Sequence, residues 1–535
     1  MVPIAPRPRR GLRLLLSGLA GVLLLCGIGV GVVTWTWQRS VIDTVGHVSF
    51  DRRLAVPPLA QSRIDEQGRR VFDLRAQPGS RDFGFGERTA TWGFNGDYIG
   101  PTLRARRGER VLVNVHNGLP EPTSVHWHGM HLPARMDGGP HQEVRPGGDW
   151  APSWTIDQPG ATLWYHPHPH GTTAEHVYRG LAGMFILDDE HSDSVGLPNR
   201  YGVDDVPVIV QDKRIAGGQF DEDAPMLSDI GILGNQILVN GVRTPHLPVA
   251  TSSVRLRLLN ASNARSYNFG FSDDRPFALI GTDGGLLPAP YQTRRIQLTP
   301  GERAEVVVTV DPGERVELRS YPPALGSGVL ADRFIGGADA FDVLQLRAAG
   351  SLQPSRELPG TLVDVPRLDP ESASVTREFR LSGRSINGET MDMARADAVV
   401  EKGAVEIWEI RNGDGAPHNF HIHDVQFQVL SIAGERPPPH LRGWKDTVFA
   451  VPNATVRIIA RFADYADRDS PYMFHCHLLQ HEDQGMMGQF VVVEQGQQPG
   501  RLDAGHRVDE GHAGHDDDEG HAGHDDHAGH ADHGG

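Results

Sequence analysis

Cysteine is almost missing from this chain of 535 residues. Only Cys26 and Cys476 occur, and the first lies in an apolar N-terminal run, so a disulfide framework is excluded even for a chain that reads as exported. Cys476 therefore needs another explanation. Methionine is scarce too, ten in all with no Met-rich run, and aromatic residues make up only 7%. Basic residues form no stripe. Of the net charge of −17, residues 503–535 hold −9, residues 1–40 hold +5, and the body between them carries −13, a balance that excludes a phosphate backbone and hence nucleic acid as a partner. Long uncharged stretches are absent with one exception, Leu14–Trp37.

What is abundant is glycine (63) and proline (39). Together with short alternating segments such as Val254–Leu258 and Glu305–Val310, bounded by Gly, Pro, Asn and Asp, they point to a loop-rich all-β chain and exclude helical bundles and collagen-like repeats. Without its two unusual ends the chain keeps about 460 residues, enough for three domains.

The exceptional run of 24 uncharged residues is long enough to span a bilayer core of about 30 Å. Arg7, Arg9, Arg10 and Arg13 flank its inner end, and Trp35 and Trp37 mark an outer aromatic belt. An uncleaved transmembrane anchor is expected, with everything after residue 40 on the outer face of the cytoplasmic membrane. A cleaved signal peptide is the competing reading, but no small-residue cleavage site follows Trp37. Arg9-Arg10-Gly11-Leu12 also resembles a weak twin-arginine export signal.

The body repeats itself. Gly108, Asn117, His126 and His128 are spaced as Gly403, Asn412, His421 and His423 are, an offset of 295 residues. A third copy is anchored on Asn260, but nine and eleven residues further on it has Phe269 and Phe271 where the others have histidine. The fold unit is there without ligands. Expected domains are thus 45–192, 200–350 without ligands, and 375–497, between the N-terminal segment 1–40 and the tail 503–535.

Each outer copy carries a second pair, His166-Pro167-His168 and His475-Cys476-His477. Alternate residues of a strand share one face, so four pairs can aim eight imidazoles into one cavity between the first and third domains. Four pairs at matched positions of two repeats are hard to obtain by chance. His131, His141, His170 and His176 fit no repeat position and are read as ordinary surface or structural histidines. Around Cys476, the residues His418, His481 and Met486 complete two imidazoles, a thiolate and a weak thioether, the ligand field of a blue-copper electron-transfer centre and a poor set for zinc.

These residues closely resemble the multicopper oxidase family, in particular three-domain bacterial laccase-like and copper-efflux oxidases. HWHG at 126–129, WYHPHPHG at 164–171, HNFHIH at 418–423 and HCHLLQHEDQGMM at 475–487 follow its four copper signatures, and DGGP at 137–140, DGGLLP at 283–288 and GWKDTV at 443–448 agree. The resemblance implies three cupredoxin-like Greek-key β-sandwich domains and four copper ions. Type 1 copper would take His418, Cys476, His481 and Met486; type 2 would take His126 and His421; the type 3 pair would take His128, His166, His168, His423, His475 and His477. It also implies Asp137, near the type 2 copper, and Glu482, beside the type 3 pair, as proton donors, with Cys476 as the electron path.

The expected reaction couples four one-electron oxidations to reduction of O2 to two waters. The absence of a Met-rich segment, with Ala416 close to His418, opens that rim to phenols and aromatic amines, while Asp414 remains as a carboxylate contact for a Cu(I) donor. A non-catalytic exported copper-binding protein and a two-domain copper nitrite reductase are the alternatives. The first is opposed by the full set of ten His, the Cys and the Met, the second by the third repeat and by His on both sides of Cys476. A monomer is expected. The tail, with eight His and a nine-residue repeat (EGHAGHDD), is too poor in apolar residues to fold alone and suits extra metal ions, as a copper-buffering arm.

Overall fold

The computed structural model describes residues 34–223 and 229–502. Most of the expected membrane span and the whole tail 503–535 therefore lie outside the described residues. Among the described residues no helix is long and apolar enough to cross a membrane.

Six main sheets pair into three sandwiches with one wiring. In each, a first strand runs parallel to the repeat strand that ends in asparagine: Arg70–Arg81 with Arg110–Asn117, Asp205–Lys213 with Ser253–Asn260, and Val375–Ser382 with Val405–Asn412. In each, the facing sheet contains a second parallel pair: Leu103–Arg106 with Gly183–Asp188, His246–Thr251 with Phe341–Gln353, and Ala398–Glu401 with Met487–Val493. Alternating Val, Ile, Leu and Phe from the two inner faces fill three separate cores. The fold is all-β and cupredoxin-like.

The asparagine that marks the repeat in sequence does the same work three times. Asn117 Nδ2 donates to the carbonyls of Glu121 and Val144, Asn260 Nδ2 to those of Arg265 and Leu298, and Asn412 Nδ2 to those of Ala416 and Ala450. Each Oδ1 accepts the N–H two residues on, from Leu119, Ser262 and Asp414. A buried loop cannot leave such groups unpaired, so one amide side chain holds the turn that delivers the next strand. In the first sandwich that strand carries His126 and His128, in the third it carries His421 and leads directly into His423, and in the middle one Phe269 and Phe271 simply enter the core.

One segment sits elsewhere than expected. Residues 45–56, assigned by sequence to the start of the first domain, pack on the middle sandwich: the Gly46 N–H donates to Asp342, Arg53 bridges His246, and Leu54 lies in the middle core. The first sandwich gains its edge strand only at Ser62–Ile64.

Replacing Asn260 with Ala strands the Ser262 N–H and the carbonyls of Arg265 and Leu298 in a dry loop, an expected cost of about 2–4 kcal/mol. The chemical denaturation midpoint at equal copper content measures it; a loss under about 1 kcal/mol would show that the loop holds itself.

Candidate metal centre

Strand register brings the histidine pairs together. In the first sandwich His126 lies opposite His166; in the third, His421 lies opposite His475. Only His126 and His128 share a strand throughout. His168, His423 and His477 fall just past the ends of Thr162–His166, His418–Ile422 and Tyr472–His475, which corrects the expectation that each pair occupies a strand. Pro167 has no N–H for a ladder, and the Cys476 N–H is taken by the Met486 carbonyl.

The two sandwiches meet on these residues about a pseudo-twofold relation. His126 stacks on His423 and His128 on His421, each with ring centroids 3.7 Å apart. His168 Nε2 lies 3.1 Å from His475 Nε2, which is 3.2 Å from His423 Nε2, and His128 Nδ1 lies 3.4 Å from His166 Nε2. All eight imidazoles are buried. Burial, then repulsion between rings, holds His128, His166, His421 and His423 well below the usual histidine range; burial likewise takes His168 and His477 to about 3. These six stay neutral, as metal ligands must, whereas at His475 burial lowers the value but the Glu482 carboxylate beside the ring raises it above the usual histidine range.

The nitrogens test whether copper fits. His126 Nδ1 and His421 Nδ1 donate to the carbonyls of Asp137 and Asp446, which leaves both Nε2 atoms buried and unpaired; both His477 nitrogens are unpaired as well. Each orphan costs about 1–3 kcal/mol unless a ligand takes it. Groups of three ligand atoms within 4.8 Å of one another occur at His126/His128/His166, His126/His421/His423 and His168/His423/His475. The donor set fits a cluster of imidazole-bound metals.

Three buried carboxylates brace the rings from behind, each between one imidazole of the first sandwich and one of the third. Asp137 Oδ2 is 2.7 Å from His423 Nδ1 and its Oδ1 is 3.3 Å from His126 Nδ1. Glu482 reaches His475 Nδ1 at 3.1 Å and His168 Nδ1 at 3.5 Å. Burial raises the Glu482 carboxyl, but the imidazoles of His168 and His475 hold it well below the usual carboxylate range. Asp446 reaches His128 Nε2 at 3.1 Å and His421 Nδ1 at 3.7 Å. Asp137 thus supports His423 as closely as His126, the ring of the expected type 2 pair.

Cys476 points the other way. Its Sγ lies 3.7 Å from both His418 Nδ1 and His481 Nδ1, which are 3.1 Å apart. Met486 is buried beside them, its N–H donating to the His481 carbonyl. Burial raises the thiol, yet hydrogen bonds and charge from the two imidazoles bring it down to about 5, so a thiolate is available. The outer nitrogen of His418 meets Asp414 Oδ1 at 3.3 Å. His131, His141 and His176 pair instead with Asp424, Gln489 and Glu121, and His170 is exposed.

Multicopper oxidase family profiles match residues 76–192, 206–316 and 364–496. The chain belongs to the multicopper oxidase family. It is 38% identical over 450 residues to a protein named cell division protein FtsP from Photorhabdus laumondii, covering 82% of this chain and 92% of that one. To a multicopper oxidase of Staphylococcus haemolyticus it is 35% identical, with the same two coverages. A solved laccase-like multicopper oxidase, CueO from Ochrobactrum sp., superposes with a TM-score of 0.75 at 36% identity over 82% of this chain and 100% of that chain. The chain is a laccase-like oxidoreductase that uses copper and O2.

In this multicopper oxidase the ligand-free middle sandwich completes the centre, which the sequence did not reveal. Arg303 is fully buried, and its two terminal nitrogens donate to Asp446 at 2.7 and 2.6 Å. Asp446 in turn faces His128, so one pair joins all three sandwiches. Lys445 binds Asp283 and Glu302 alongside. Asn419 links the Thr299 hydroxyl and Pro300 carbonyl to the His477 N–H and lies 3.6 Å from Cys476 Sγ. The Asp229 carbonyl accepts from His481 Nε2. The only advance signal was DGGLLP and GWKDTV, which contain Asp283, Lys445 and Asp446.

Gly129 shows how tight the junction is. Its φ is +84°, and a Cβ there would sit 2.5 Å from Asp446 Oδ2 and 2.6 Å from Arg303. Gly129→Ala should displace that pair and weaken copper binding about 10–100-fold without altering a ligand. Gly108, with φ +88° and open space around it, provides the control: alanine there costs about 1–2 kcal/mol of backbone strain and leaves copper affinity unchanged. Equal copper retention in the two variants would disprove the role of the junction.

Proposed function

We propose that the chain couples four one-electron oxidations of phenolic or aromatic amine donors to reduction of O2 to two H2O. The observation that carries this is Cys476: its sulfur sits between two imidazoles, while both its chain neighbours belong to the eight-histidine cluster. His418, Cys476, His481 and Met486 would hold the type 1 copper, His126 and His421 the type 2, and His128, His166, His168, His423, His475 and His477 the type 3 pair, four ions in all. Copper bound in these places supplies a one-electron acceptor near the surface and a site where four electrons meet dioxygen.

The protein's part is wiring, orientation and protons. His418 presents the outer edge of the sulfur site to a donor, with Asp414 placed to accept the donor's proton. The covalent path from Cys476 Sγ through its backbone to His475 and His477 is a few bonds long. Asp137 and Glu482 fix the ring orientations and lie where protons are needed for water formation. Burial of all eight imidazoles excludes bulk water from them, which strengthens these contacts.

The chain is proposed to act outside the cytoplasmic membrane, held by its N-terminal run, with the tail 503–535 as a reserve for extra metal ions. Cu(I) is a second donor, linked to copper tolerance. The Asp414 carboxylate, 3.3 Å from the outer nitrogen of His418, supports it as a contact for a cationic donor. Relatives named for cell division match as well as those named for oxidation, so the functional reading rests on the side chains.

Cys476→Ser should abolish the blue absorption and donor oxidation together; retention of either at the wild-type level would refute the site. Glu482→Gln should slow reoxidation by O2 about 10²–10⁴-fold while leaving reduction by the donor near its original rate, measured as separate stopped-flow half-reactions. Equal slowing of both would refute the proton role.

A further inference from the structure

Building on the oxidase reading above, we propose that the rim of the His418 site faces the lipid bilayer and takes its electrons from a hydroquinone dissolved in the membrane.

The small cleft beside His418 has room for about one water and is mostly apolar, with Leu325, Ile335, Pro417, Phe449 and Leu478 among its walls beside the polar Thr299 and Asn419. Two of its walls from the middle sandwich, Leu325 and Ile335, bound one segment that contains the short helix Val329–Phe334. The tip of that segment is bare: Val329 is 87% and Leu330 68% exposed. A soluble surface seldom leaves two large aliphatic neighbours so open unless something covers them.

The same segment receives the chain as it leaves the uncharged run. Trp37, the last residue of Leu14–Trp37, packs edge-on against Phe334, lies under Arg333 at 4.3 Å, and accepts a hydrogen bond from that guanidinium on its carbonyl. Ile42 is then tied to Asp339. Trp35 is 55% exposed, with Arg39 over its ring at 4.8 Å. Exposed Trp with Arg reaching toward charge is the composition of a headgroup layer. Four of the eight exposed large apolar residues among those described, Trp35, Trp37, Val329 and Leu330, belong to this one corner. A helix of six residues is about 9 Å long, so the point where the chain would enter the bilayer and the electron-accepting cleft share one small face.

That placement selects the donor. A hydroquinone has an apolar ring that can lie across the mouth of this cleft, a hydroxyl for Asp414 at the outer nitrogen of His418, and a hydrocarbon solubility that lets it arrive through the membrane. The stoichiometry closes: two hydroquinones lose four electrons and four protons to become two quinones, and one O2 takes up four of each to give two H2O.

The test uses the full-length, copper-loaded protein in phosphatidylethanolamine/phosphatidylglycerol vesicles containing a decyl-substituted benzohydroquinone, with water-soluble dimethoxyphenol as the reference donor. The double variant V329D/L330D should oxidise the vesicle-held hydroquinone about tenfold more slowly, with its blue absorption and dimethoxyphenol rate unchanged. Equal hydroquinone rates in variant and wild type overturn the proposal. If the wild type lacks the blue band and oxidises neither donor, the underlying oxidase reading fails. Independently, the added fluorescence of L330W should be quenched by shallowly brominated phospholipid. A Trp at 330 that remains bright, or that is shielded from acrylamide but not quenched by the lipid, would place water or a protein partner there and overturn bilayer docking.

Discussion

The whole arrangement depends on the buried pair Arg303–Asp446. Taking a guanidinium and a carboxylate out of water costs several kcal/mol per ion, and only near-complete hydrogen bonding offsets this. Here Arg303 also donates to the carbonyls of Thr162, Gly301 and Asp283, one from the first sandwich and two from its own. Asp446 is shared among Arg303, the Thr447 hydroxyl and His128. Any sliding of one sandwich against another would strand a charge, so the pair fixes the relative placement that lets His126 meet His423 and His128 meet His421.

A middle sandwich without ligands is therefore not a mere spacer. It supplies Arg303, packs Gly301 against His128 and His477 with φ +85° and a Cβ position 3.1–3.2 Å from both rings, and sends Asp229 to cap His481. The outer domains contribute the clustered imidazoles; the middle one contributes the groups that make their positions unique.

Much of this was legible in the sequence because repeats and alternation are local. The asparagine register gave the three copies, and the paired histidines gave the cavity, since two ligands one residue apart need no knowledge of the rest of the chain. Asp446 was not legible as a partner of His128, because it lies 318 residues away and one carboxylate in a GWKDTV segment has no periodicity to betray its direction. The Asp229 carbonyl leaves no trace in residue identity at all. Residues 45–56 were misplaced since a segment without strand pattern can lie along either neighbour, and only the packing of Leu54 decides which. Asp137 and Glu482 were found through the family resemblance; their bridging of first and third sandwiches emerged only with the fold.

The stacked rings of His126/His423 and His128/His421 have a consequence for how long the protein lasts. Metal held between imidazoles of the first and third sandwiches would be a clasp across a loop of almost 300 residues, and closing a loop that long costs the unfolded chain entropy it cannot recover locally. By mass action a single site at a hundredfold excess over its dissociation constant adds about 2.7 kcal/mol to the folded state. Metal supply in the surrounding compartment would then set resistance to proteolysis, with unloaded molecules the first to be cleared.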